Sequence, residues 1–165
     1  MKTLVLIRHA NTENYATTGG DFNRQLTATG KADAATMALR LKERNIIPDV
    51  IIASMAKRTT QTANIITEHM QLSPQLIEGS QMLYQCSPSV FIEKMVMLPP
   101  EVNTAFFIAH NPGITDFANE QIYPQTIGHI PTCGIVAIRY NASHWQDIRS
   151  AEKSFLFFDY PKNIV

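Results

Sequence analysis

Charge of one sign is missing from this chain. Lys and Arg number 14 and Asp and Glu 14, so the formal net charge at pH 7 is zero. A general attraction to nucleic acid or to a membrane surface is therefore not expected, and an anion site has to be local, built from a few converging arginines. Cysteine is scarce as well. Cys86 and Cys133 lie far apart without metal-ligand spacing, so the expectation is reduced, inert thiols and a cytoplasmic location. No apolar run nears the length of a membrane span. The first one, Thr3 to Ile7, is interrupted by Arg8 and His9, too soon for a signal peptide. Repeats and low-complexity segments are absent too, and one domain over residues 1–165 with no internal linker is expected. What is present suffices for a single core: 165 residues, 45% of them hydrophobic and 17% charged, in the ordinary range for a globular protein.

Thr3-Leu4-Val5-Leu6-Ile7 is short, continuous and rich in branched side chains, as a strand covered on both faces should be. Asn11 to Arg24 carries glycines, asparagines and threonines and reads as a loop. Thr27 offers an N-cap, and Ala32 to Leu41 has apolar residues at helical spacing, ending near Asn45 and Pro48. Val50 to Ala53 is a second buried strand, followed by a helix from about Thr59 to Met70 with Ala63, Ile66 and Met70 on one stripe. Leu76-Ile77 is a short third strand. Ser87-Pro88 opens a helix that stops before Pro99, and Thr104 to Ala109 is another central strand. A short helix covers Ile114 to Glu120. Ile135 to Tyr140 and Ser154 to Phe158 are late strands around a turn at Asn141 to His144.

Strands alternating with helices predict an α/β fold, a three-layer sandwich with a mostly parallel central sheet and helices on both faces. In such sheets ligands bind beyond the carboxyl ends of the strands. Arg8 and His9, the segment Ser54 to Arg58, and His110 each follow directly on a predicted central strand. All of them should open onto one edge. Two guanidiniums hold a phosphoryl group by paired N–H···O bonds and stay charged at any working pH. A neutral imidazole between them can attack phosphorus while a second histidine stabilises the transferring oxygens. This is phosphoryl transfer by positioning and charge, without a Walker loop or a metal cage.

These residues also resemble a known family. Arg8-His9-Ala10 after a strand is similar to the Arg-His-Gly signature of the histidine phosphatase superfamily, the branch that includes phosphoglycerate mutases. Ser54-Met55-Ala56-Lys57-Arg58, running on into Gln61-Thr62-Ala63, resembles the second motif, and Ala109-His110-Asn111-Pro112-Gly113 the third. Asp21-Phe22-Asn23-Arg24-Gln25-Leu26-Thr27 with Gly30 is similar to the Asp-x-x-Arg-x-Leu-Thr segment of the small SixA-type phosphohistidine phosphatases. Pro131-Thr132-Cys133-Gly134, the lone Trp145 and the closing Phe157 to Lys162 match that group too. The resemblance implies a phosphoglycerate mutase-like fold. It implies that His9 is the nucleophile that becomes phosphohistidine, with Arg8, Arg58 and His110 around the phosphate. Ala10 stands where many relatives carry glycine, and SixA-type sequences accept either.

An alkoxide leaving group needs a proton donor. The mutase branch has a glutamate between its second and third motifs. Glu78 lies in that interval, but its context differs. Glu78 and Glu13 are the candidate general acids, each with a solvated loop carboxylate as the plainer reading. SixA-type members generally lack this acid, and a phosphohistidine nitrogen is readily protonated. Arg24 either pairs with Asp21 or reaches the pocket rim to meet substrate. Ser54 either bonds the phosphate or caps the following helix. Asn111 either orients His110 or holds the turn before Pro112. His69, His129 and His144 lack motif context, and nothing supports a metal site or another cofactor. The leading expectation is a phosphatase acting through phosphohistidine on His9, with a phosphohistidine protein as substrate. The alternatives are a phosphatase of a small phosphate ester, such as a sugar phosphate or nucleotide, and a non-catalytic phosphate-binding module.

Overall fold

The computed structural model describes residues 1–164. The first apolar run forms β1 (Lys2–Arg8), and its side chains alternate between two cores. Leu4 and Leu6 belong to one, Val5 and Ile7 to the other. Both faces of the strand are covered, which is why the run is continuous rather than alternating. Helix α1 (Ala28–Glu43) starts where Thr27 accepts the Gly30 N–H. β2 (Val50–Ser54) and α2 (Lys57–Met70) follow. Then come β3 (Ile77–Ser80), α3 (Pro88–Val96), β4 (Thr104–Ala109), α4 (Gly113–Ile122), β5 (Ile135–Tyr140) and β6 (Lys153–Asp159).

The strands form one six-stranded sheet in the order β3-β2-β4-β1-β5-β6. The first four of these run parallel, and β5 is antiparallel to both of its neighbours, β1 and β6. One core lies between the sheet and α1 with α2, the other between the sheet and α3 with α4. The expected α/β sandwich with helices on both faces is therefore present. No helix among the described residues is long and apolar enough to cross a membrane.

Local differences have local causes. Leu76 closes a short helical turn, Pro74–Leu76, capped by Ser73, so β3 begins one residue later than the apolar pair suggests. Helix α2 starts two residues early with Ala56 at the N-cap position, so Ser54 does not cap it. Ser87 sits at the N-cap of α3, but its hydroxyl bonds the Ser89 hydroxyl instead of a backbone N–H. Between β5 and β6 the turn is longer than expected and carries a helical turn, Trp145–Asp147. Trp145 is buried, and its Nε1 donates to the Val102 carbonyl at 2.8 Å.

Candidate active site

Because β1, β2 and β4 are parallel neighbours, their carboxyl ends lie at one edge. Arg8 on β1 is in register with Ala109 on β4, and His9 and His110 are the next residue of each chain segment. Their rings stand 5.3 Å apart, centre to centre. Arg58 arrives from the first turn of α2, where the Thr59 hydroxyl bonds the Ser54 carbonyl at 2.6 Å and ties the helix to the end of β2. The four residues expected to form a site do come together.

His9 is buried, and its Nδ1 lies 2.8 Å from the Ala10 carbonyl. A carbonyl only accepts, so Nδ1 carries the hydrogen and Nε2 of the neutral ring keeps its lone pair. Burial pushes the His9 pKa down to about 3. The Ala10 hydrogen bond opposes that shift, and His110, Arg58 and Arg8 reinforce it. The ring is neutral at any ordinary pH. The Ala10 N–H donates to the Thr62 hydroxyl at 3.0 Å, which in turn donates to the Arg58 carbonyl at 2.7 Å. Backbone after β1 and the first turn of α2 are thereby fastened together.

His110 is also buried, with Nε2 2.8 Å from the Ser54 hydroxyl oxygen. Burial, followed by Arg58, lowers its pKa to about 4; Asp21 opposes and Arg8 adds slightly. Arg8 donates from Nη1 to the Ile130 carbonyl at 3.0 Å. The same carbonyl receives Asn111 Nδ2 at 3.0 Å, and Asn111 Oδ1 accepts the Thr115 hydroxyl at 2.6 Å. Asn111 therefore fastens the loop after His110 to a third segment and does not touch the imidazole. Arg58 donates from Nη1 to the Asp21 carbonyl at 2.7 Å and from Nη2 to Asp21 Oδ2 at 3.0 Å. Arg8 Nε, Arg58 Nε and His110 Nδ1 are buried without a hydrogen-bond partner among the described residues. Orphaned groups of this kind cost about 1–3 kcal/mol each, and here three of them belong to the same cluster.

The remaining expected residues divide. Ser54 does not cap α2: its hydroxyl accepts the Ala56 N–H at 3.3 Å and bonds His110 Nε2 at 2.8 Å. Arg24 pairs with Asp21 at 3.5 Å and donates to the Thr12 hydroxyl at 2.6 Å, which is the structural reading of this residue. Glu78 is not brought to the site. It lines a groove with Asp49, Pro99 and Val102, at the amino ends of β2 and β4. The parallel register explains this, since Ser80, not Glu78, is level with Ser54. Glu13 is exposed in the loop after His9, with its backbone N–H on the Gln25 carbonyl. His129 lines a separate groove with Asp33, Phe158 and Tyr160, while His69 bonds the Ile65 carbonyl and His144 lies 3.8 Å from Asp147. Among the described residues no group of three or more His, Cys, Asp or Glu could hold a metal ion.

Sequence reasoning missed Asp21 and Tyr84 as parts of the cluster. The Tyr84 hydroxyl donates to Asp21 Oδ2 at 2.7 Å, and its ring stands edge-on to His110 at 5.5 Å. Asp21 was visible in the Asp-x-x-Arg segment, but only as a partner for Arg24. Tyr84 carries no signal at all in the chain.

Comparison with known proteins agrees with this picture. The profile of the histidine phosphatase superfamily (branch 1) matches residues 4–81. Phosphoglycerate mutase 1 of Saccharomyces cerevisiae is 40% identical over 72 residues, covering 41% of this chain and 28% of that protein. The alignments thus span only about a quarter of the length of the curated relatives. Among solved structures, the protein histidine phosphatase SixA in complex with tungstate superposes with a TM-score of 0.83, at 21% identity over 98% of both chains. A SixA protein from Agrobacterium tumefaciens gives 0.80, at 21% identity over 97% of this chain and 98% of that one. Residues 4–81 thus match the profile of the histidine phosphatase superfamily (branch 1), and over nearly its whole length the chain has the fold of the SixA proteins.

Proposed function

We propose that this chain, as a single domain over residues 1–165, is a phosphatase that takes the phosphoryl group of its substrate onto His9. The observation that carries this reading is the state of His9. The ring is neutral, its Nδ1–H is engaged by Ala10, and its Nε2 is unprotonated within the field of Arg8 and Arg58. In the first step Nε2 bonds to phosphorus while the bond to the leaving group breaks and its electron pair departs with that group. Arg8 and Arg58 carry the non-bridging oxygens, and His110, held by Ser54, supplies a further donor. In the second step water attacks the phosphohistidine, releasing inorganic phosphate and restoring His9.

Within this class the preferred substrate is phosphohistidine on a protein. The carboxyl groups nearby are poor proton donors: Glu78 lies level with Ile52, below the strand edge, Glu13 is exposed, and Tyr84 and Arg58 hold Asp21 in its ionised form. Phosphorus–nitrogen cleavage needs such help least. The small-ester reading requires a protonated acid, whereas Asp21, the carboxyl at the cluster, is held below its ordinary pKa; the non-catalytic reading leaves the readied nucleophile without a purpose.

Incubation with a labile phosphodonor, phosphoramidate, tests the reading directly. Wild type is expected to form a phosphoryl adduct that is stable in base and lost in acid, and His9→Ala is expected to form none. Turnover that persists unchanged in His9→Ala would sink the proposal.

A further inference from the structure

An imidazole phosphorylated on one ring nitrogen leaves as a neutral molecule when its other nitrogen already holds a proton. The electron pair of the broken P–N bond then returns to the ring and no acid is consumed. Such a substrate asks the protein for an acceptor that holds the outer N–H, that is, for a carboxylate and not a proton donor.

Asp21 meets that description. It projects from the loop between β1 and α1 onto Arg58, beside the phosphoryl pocket. Its Oδ2 is occupied by the Tyr84 hydroxyl at 2.7 Å, Arg58 Nη2 at 3.0 Å and Gln85 Nε2 at 3.5 Å. Oδ1 has only a long contact, 3.5 Å, with Arg24. The side chain is 41% exposed, so a ligand can reach the carboxylate, and Oδ1 is the less engaged of its two oxygens. The Tyr84 hydrogen bond first, and then Arg58 and Arg24, hold the carboxyl below its ordinary pKa against the opposing effect of burial. It is an acceptor at working pH. Next to it stand rings of the right kind: Phe22 lies edge-on to Tyr84 at 5.0 Å, and Tyr84 edge-on to His110 at 5.5 Å. Together they form an aromatic wall against which a flat imidazole can pack.

We propose that Asp21, steadied by Tyr84, recognises the leaving group, accepting the outer N–H of a phosphoimidazolium and so selecting phosphohistidine over phosphate esters. This rests on the phosphohistidine reading of the site. As His9 Nε2 bonds to phosphorus, the substrate P–N bond breaks and its electron pair goes to the substrate nitrogen. The proton stays on the outer nitrogen, bonded to Asp21, and a neutral imidazole departs. An ester that carries a second anion near its phosphate meets the same carboxylate as a like charge and is disfavoured.

The test compares phosphoimidazole with 4-nitrophenyl phosphate, in the full chain and in Asp21→Asn and Tyr84→Phe. Asp21→Asn keeps the backbone carbonyl on Arg58 and an amide oxygen but loses the charge. The ratio of kcat/KM for phosphoimidazole over the ester is expected to fall about tenfold to a hundredfold, the range for a charge-assisted hydrogen bond. Tyr84→Phe, which retains the ring, should lower the ratio in the same direction by a smaller factor. Inorganic phosphate should inhibit Asp21→Asn at least as well as wild type, since an anion beside Arg58 has been neutralised. If both substrates lose activity in parallel and the ratio holds in both variants, Asp21 acts only through Arg58 and the proposal is overturned. If wild type hydrolyses the ester but not phosphoimidazole, the phosphohistidine reading falls and takes the proposal with it. That failure shows in wild type, before any variant is made.

Discussion

Ser54 has the most to lose from a small change. Its hydroxyl is the only hydrogen-bond partner of the His110 ring among the described residues, and the other ring nitrogen is already orphaned. Ser54→Ala leaves the imidazole buried with neither nitrogen engaged and free to turn. Donors that stabilise a developing oxyanion are worth about 10²- to 10³-fold in kcat when removed. A donor that is loosened rather than deleted should lose less. Ser54→Ala is therefore expected to lower kcat about tenfold to a hundredfold with little change in KM. Steady-state kinetics on the best substrate checks this, and a change confined to KM would assign Ser54 to substrate binding instead. Asp21 and Tyr84 act at the same scale, and their effect is read in the choice between substrates.

At the scale of elements, the site depends on how closely α4 follows β4. A Cβ built at Gly113 would stand 2.1 Å from the Cys86 carbonyl oxygen, a backbone atom that cannot swing aside. Gly113→Ala should force α4 or the segment before α3 to shift, destabilising the fold by about 1–3 kcal/mol. It should also lower activity, because His110 lies three residues upstream. Thermal unfolding and kinetics on one preparation test both; unchanged values would mean the two segments separate freely. The elements themselves were largely legible in the chain, because β1, β2 and β4 are buried on both faces and read as unbroken apolar runs. The four pocket residues were legible because each follows such a run at the same sheet edge. The position of Glu78 was not legible, for the opposite reason. Its interval between motifs says nothing of height along β3, and the pairing of Glu78 with Ile52 sets it below the edge. The contacts of Asp21 with Arg58 and Tyr84 bridge 37 and 63 residues of sequence. No local periodicity encodes a meeting of that kind.

For the molecule as a whole, two buried neutral histidines make stability depend on pH. The His9 pKa is about 3 in the fold against an ordinary 6.5, and that of His110 about 4. The unfolded chain therefore takes up protons below pH 6.5 that the folded chain refuses. Their stabilising contribution is fully present above about pH 6.5 and is lost as pH falls toward the folded values. Each group contributes a slope of about 1.4 kcal/mol per pH unit within its interval. His9→Gln, which cannot titrate, should lose about 2 kcal/mol less than wild type between pH 7.5 and pH 5 in urea unfolding. Equal losses would mean that His9 is protonated in the fold.

The Ile130 carbonyl receives both Arg8 and Asn111. One peptide oxygen thus acts as a junction between the strand that leads into His9 and the loop that bears His110. A junction made of main chain is indifferent to side-chain replacement at position 130, provided the new residue still fits the core. It is sensitive to length instead. One residue added between α4 and Ile130 would shift the acceptor that the Arg8 and Asn111 side chains share, and so would disturb both anchors at once.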